Sequence, residues 1–78
     1  MTGKELVYIY SEQIAYELSK VVYDHKQTTI NSKMILDYIK ARCKHETLHD
    51  EILTATILLL QEKYNIVANL DLNLDIKV

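Results

Sequence analysis

Ala68-Asn69-Leu70-Asp71-Leu72-Asn73-Leu74-Asp75-Ile76-Lys77-Val78 alternates apolar and polar residues without a break. Successive side chains of a strand point to opposite faces, so this stretch predicts one half-buried β-strand. A strand needs a partner for its backbone N–H and C=O groups, and an unpaired edge is a template for another chain. The favoured partner is the symmetry mate, which places Leu70, Leu72, Leu74 and Ile76 in a dimer interface. The alternative partner is Leu6–Tyr10, if that segment is extended.

Upstream the pattern changes to helical periods. Ile52, Leu53, Ala55 and Ile57–Leu60 cover most of a helix circumference, which predicts a third helix over residues 48–64, the most buried of the set. Thr47-Leu48-His49-Asp50 before it has the form of a capping box with Asp in place of Glu. Met34, Ile35, Tyr38, Ile39 and Cys43 form the apolar stripe of a second helix over residues 32–44, capped by Asn31 or Ser32. The segment before it, residues 26–31, is polar and β-branched. It predicts a loop with one extended step at Thr29 and Ile30. Val7, Tyr10, Ile14, Leu18, Val21 and His25 recur at spacings of three and four and predict a first helix over residues 5–25. A competing parse makes Leu6–Tyr10 a strand and Ser11 the cap of a helix starting at Glu12.

The expected fold is therefore mainly α with a C-terminal β-strand, one compact three-helix domain over residues 1–78. The order helix, extended step, helix, helix, strand resembles a winged-helix arrangement, in element order only. That resemblance would make the third helix the recognition helix, yet it carries Asp50, Glu51 and Glu62 against Lys63, the wrong sign for a DNA groove.

Composition bounds the function. Seventy-eight residues bury only about 60–65% of their unfolded surface, so such a domain gains from dimerisation. The 49% of apolar residues argues against disorder. Glycine occurs once, at position 3, and proline is absent. No phosphate-cradling glycine loop is available, and no tight turn with positive φ is expected. The longest apolar run, Ile57–Leu60, is far short of a membrane span, and no apolar segment follows a basic start as in a signal peptide. The single cysteine, Cys43, excludes an internal disulfide and falls on an apolar stripe, as a buried thiol does. These features fit a cytoplasmic protein with no membrane partner.

Charge is unevenly spread. Residues 26–44 hold five basic residues against one acid; the remainder holds four against ten. Lys33, Lys40 and Lys44 recur at seven and four and are expected on one solvent face flanked by Arg42. Thr28, Thr29, Asn31 and Ser32 sit at the helix start, where N–H groups and hydroxyls can hold a phosphate. A charge stripe is most often a solvated surface. Here its contrast with the acidic remainder points to an acidic protein surface or nucleic acid as partner.

His45-Glu46-Thr47-Leu48-His49 matches H-E-x-x-H and looks like the zincin metalloprotease signature, with two histidines on one helix turn reaching a zinc ion. The competing reading is a loop and first helical turn. Of the six tyrosines, Tyr10 and Tyr38 fall on core stripes and Tyr8, Tyr16 and Tyr23 on the borders of the first helix. No catalytic residue, cofactor or small-molecule substrate is expected, and His45 and His49 remain weak metal candidates. The reading is a small non-enzymatic regulatory or adaptor protein, dimeric, that binds a macromolecule through its basic helix face. The alternatives are a DNA-binding transcriptional regulator using residues 28–44 and a minimal zinc-dependent hydrolase.

Overall fold

The computed structural model describes residues 2–69. Its elements run α1 (Gly3–Asp24), β1 (Thr29–Asn31), α2 (Ser32–Arg42), a 3-10 turn (Glu46–Leu48), α3 (His49–Tyr64) and β2 (Val67–Asn69). The chain is mainly helical, as the periodicities require. The expected dimer residues Leu70, Leu72, Leu74 and Ile76 lie outside the described residues.

Helix α1 begins two residues before the periodicity expects, because Thr2 and Glu5 form a reciprocal capping box. Glu5 N–H donates to Thr2 Oγ1 at 3.2 Å, and Thr2 N–H donates to Glu5 Oε1 at 2.9 Å. That cap places Leu6–Tyr10 inside the helix and removes the extended parse of the segment. Ser11 is not a cap but a buried mid-helix residue whose hydroxyl donates to Tyr8 O at 3.1 Å. The buried face is Ser11, Ile14, Ala15, Leu18, Ser19 and Val22, with Val7, Tyr10 and Val21 at its edge. The residues at 11, 15 and 19 of this face are small, and α3 is the main neighbour of α1. The Ser19 hydroxyl is satisfied like that of Ser11, donating to Tyr16 O at 2.7 Å.

Helix α1 ends in a Schellman arrangement. Lys26 N–H donates to Tyr23 O at 2.9 Å and Gln27 N–H to Val22 O at 3.0 Å, with Lys26 at φ 55°. Asn65 closes α3 at φ 57°. The expectation that a chain poor in glycine lacks positive-φ turns is thus overturned. Asparagine tolerates the left-handed region, and Lys26 is held there by its own hydrogen bond to Tyr23 O and that of Gln27 to Val22 O.

Asn31 ends β1 and caps α2, its Oδ1 accepting from Lys33 N–H at 2.7 Å. The α2–3-10–α3 excursion is long enough to return the chain parallel to β1. The register is Thr29↔Val67, Ile30↔Ala68 and Asn31↔Asn69. So the start of the alternating C-terminal stretch pairs within the chain, with the extended step at Thr29–Asn31. Ile30 is buried and Ala68 half-buried, while Thr29, Asn31, Val67 and Asn69 are exposed.

The core joins all elements: Ile14, Leu18 and Val22 meet Ile30, Ile35, Ile39, Cys43, Ile52, Leu60 and Ile66. Helix α3 touches α1, α2 and β2. Its fully buried strip is nevertheless narrow, Ile52, Thr56 and Leu60, and Leu58 is exposed. Leu53, Ala55, Ile57 and Leu59 flank that strip half-buried, so the remaining apolar residues of the helix are only partly covered. The capping box expected at Thr47–Asp50 is also absent. Thr47 lies inside the 3-10 turn, so Leu48 becomes the N-cap and no side chain caps the helix.

Candidate functional site

The basic segment is divided by the geometry of α2. Lys33 and Lys40, seven residues apart, project from one flank, and both are exposed. Lys44 lies just past the C-cap, Cys43, and is exposed as well. Lys40 and Lys44, with Cys43, Glu46 and His49, line an open depression of about 590 Å³ between the end of α2 and the start of α3. Asp37 is exposed between Lys33 and Lys40, and Glu46 is exposed beside the depression, so this face carries three cations and two anions.

Arg42 does not belong to it. Two positions beyond Lys40 is about 200° round a helix, which turns Arg42 toward α1. Its Nε lies 3.0 Å from Glu17 Oε1, and its guanidinium stacks 3.9 Å from the Tyr38 ring centroid. The Nε–H is not directed along the ionic contact, because Glu17 Oε1 is buried without a hydrogen bond. Arg42 is a tie between α2 and α1 where the charge count had grouped it with the lysines.

The expected phosphate-holding group at the start of α2 is also partly committed. Asn31 spends its side-chain oxygen on the cap, and Ser32 is half-buried. Thr28 and Thr29 are exposed, and Thr28 O accepts from Val67 N–H at 3.0 Å. The outward side of α3 carries Asp50, Glu51 and Glu62 beside Thr54, Leu58 and Gln61, all exposed. The described surface therefore has a basic flank on α2 and an acidic one on α3.

His45 and His49 are not on one helix turn. His45 precedes the 3-10 turn and is exposed, whereas His49 opens α3. His49 Nε2 lies 2.8 Å from Cys43 O, so it is the protonated nitrogen and donates to that carbonyl. The spacing of the zincin signature is present, but the helix that would aim both rings at one ion is not. Among the described residues, no three or more His, Cys, Asp or Glu side chains cluster as metal ligands. Cys43 is buried as a free thiol, its Sγ 3.9 Å from His45 O.

One surface feature has a sequence signal that lies in the spacing of seven. Ile9, Tyr16 and Tyr23 are all exposed on the outer side of α1. Tyr8 is exposed too, while Tyr10 and Tyr38 pack against the core as expected. Lys20 lies 4.8 Å over the Tyr16 ring, and the neighbouring hydroxyl of Tyr16 holds its ammonium above the usual lysine range. No described helix is long and apolar enough to cross a membrane. No protein family, no curated protein and no solved structure matches this chain.

Proposed function

We propose that this chain is a small non-enzymatic regulatory or adaptor protein, acting as a homodimer in the cytoplasm. Its Lys33–Lys40–Lys44 face docks on an acidic surface of a protein partner. The observation that carries this reading is the pairing pattern of the cations. Arg42 and Lys63 are each neutralised by a carboxylate, Glu17 and Glu12; Lys33, Lys40 and Lys44, like Lys4, Lys20 and Lys26, make no ion pair with any described residue, and of these unpaired lysines it is Lys33, Lys40 and Lys44 that share α2 and its C-terminal end. Charge that the fold leaves uncompensated, clustered beside a depression, is charge available to a partner. An acidic protein fits better than duplex DNA. The outward side of α3, where the winged-helix order would place base reading, presents Asp50, Glu51 and Glu62 to the phosphates. Cys43, buried and unpaired, suits a reducing compartment.

The test compares a fluorescent Glu-rich peptide with a duplex DNA of equal charge, by anisotropy at several salt concentrations. The peptide should bind, and the double variant Lys40→Glu/Lys44→Glu should weaken it by about tenfold or more. Circular dichroism should be unchanged, because both side chains are exposed. Tighter binding of DNA, with a log–log salt slope near −0.9 per phosphate contact, would replace the protein partner by nucleic acid. Loss of neither interaction in the double variant would leave the face a solvated helix surface and end the proposal.

A further inference from the structure

Of the seven exposed large apolar side chains in the described residues, four lie on α1; Met34, Leu58 and Val67 stand singly on other elements. Ile9, Tyr16 and Tyr23 are 46%, 49% and 52% exposed, so each leaves about half its surface in water. Positions seven apart drift by only about 20° per step around a helix, so the three form one stripe. At 1.5 Å per residue it is about 21 Å long. Two of its three side chains have contacts within the fold. Tyr23 OH donates to Tyr64 O at 2.6 Å, and Lys20 covers the Tyr16 ring. Side chains already fixed lose little entropy on binding.

What identifies the occupant is the symmetry of this stripe about Tyr16. Ile9 and Tyr23 lie seven residues before and after it. Glu12 and Lys20 lie four residues before and after it, with opposite charge. Reversal of the helix direction therefore preserves the apolar positions and inverts the charges. We propose that this face of α1 is the self-association seam of the homodimer, packing antiparallel against α1 of a second copy across a two-fold axis at Tyr16. Tyr16 then meets the partner's Tyr16, Ile9 meets the partner's Tyr23, and Glu12 stands level with the partner's Lys20. An isologous interface needs such self-complementarity. A parallel copy would oppose Glu12 to Glu12 and Lys20 to Lys20. The existing Glu12–Lys63 contact, 3.5 Å with both side chains partly exposed, does not stand in the way. Surface pairs of this kind contribute little, and Glu12 can exchange or share its partner.

This inference rests on the homodimer reading and names its interface; it is independent of the lysine face. Sedimentation equilibrium of the full-length chain tests it. The wild type should be dimeric at roughly 50 μM. Glu12→Lys and Lys20→Glu should each raise the dimer dissociation constant by about tenfold or more. The combined Glu12→Lys/Lys20→Glu variant should restore it, which loss of the Glu12–Lys63 contact cannot explain. Leu72→Pro should leave the dimer intact. A wild type that stays monomeric while binding the acidic peptide overturns the seam and the homodimer reading together, and leaves the lysine face standing. A dimer insensitive to both single charge changes overturns the seam alone. So does a dimer dissolved by Leu72→Pro, which returns the interface to the alternating C-terminal segment.

Discussion

Helices α1 and α3 are the main packing pair of this fold, and their ends are built by opposite means. Both follow a Thr-x-x-acid tetrapeptide, Thr2–Glu5 in one case and Thr47–Asp50 in the other. The first closes into a complete capping box; the second makes no cap at all. The buried hydroxyls divide the same way. Ser11 and Ser19 of α1 each donate to a carbonyl one turn back, while Thr56 of α3 is fully buried with no partner among the described residues. Helix α1 is satisfied by its own sequence. Helix α3 is held by what surrounds it: the core under Ile52 and Leu60, the 3-10 turn before it, and the His49 ring. The difference teaches that a local motif acts only where the incoming chain has the extended geometry of a cap. Thr2 has φ −86° and ψ 165° and can cap; the 3-10 turn denies that geometry to Thr47.

The sharpest way to break this contrast is at His49. Its Nε2–H is the side-chain link between the start of α3 and the end of α2, at Cys43 O. His49→Ala leaves that carbonyl without its partner beside a buried residue. It should cost about 1–3 kcal/mol, measured by urea denaturation. A loss below about 0.5 kcal/mol would be the size of an ordinary surface change and would mean the junction is held by packing alone.

The same contrast explains what the sequence disclosed. Periods of three and four located all three helices, because burial of one side is a property of spacing. The Asn31 cap was legible for the same reason as the Thr2 box, since each signal is complete within a few residues. The partner of Val67–Asn69, where the C-terminal alternation starts, was not legible. Val67–Asn69 pairs with Thr29–Asn31 only because α2 and α3 bring the chain back parallel, and no residue in either strand encodes that route. Charge along the chain places Arg42 with Lys33, Lys40 and Lys44; the helix angle sends it to Glu17 and Tyr38 instead. His45 and His49 matched a metal spacing, but spacing implies a shared face only on a helix, and the 3-10 turn lies between them. The outer stripe of α1 needed both kinds of information. Its spacing of seven is in the sequence, but its exposure became visible only once the small face at Ser11, Ala15 and Ser19 was seen to be the one turned inward.

A second change sharpens the contrast by repairing α3. Thr56→Val removes a buried hydroxyl that has no partner among the described residues and keeps a branched side chain of similar shape. It should stabilise the protein by about 1 kcal/mol, which for a domain of this size is about 4–8 °C in Tm. A destabilised variant would mean that the hydroxyl is satisfied in the folded protein and that α3 carries no such defect. The matching change Ser19→Ala in α1 should gain nothing, because that hydroxyl already donates at 2.7 Å.

The smallest effects come from the two tetrapeptides themselves, and they test the contrast most directly. Thr2→Ala deletes a working cap and should cost about 1 kcal/mol at neutral pH. Thr47→Ala deletes a residue that caps nothing and should stay within about 0.5 kcal/mol. pH separates them further. The hydrogen bond from Thr2 N–H, and then the Thr2 hydroxyl, hold the Glu5 carboxyl below the usual carboxylate range. A carboxyl lowered in the folded state stabilises the fold above its unfolded pKa, and that contribution disappears as pH falls through the folded value. Thr2→Ala keeps the N–H and removes the hydroxyl, so only the hydroxyl's share of this contribution is lost, and that share of the deficit should be present near pH 7 and shrink once the pH drops below the ordinary glutamate range. Thr47→Ala should show no such trend. Thermal melts of both variants from pH 7 to pH 3 read this out. Equal deficits for Thr2→Ala and Thr47→Ala at neutral pH would show that the two motifs act alike and that the capping box is not what starts α1 at Gly3.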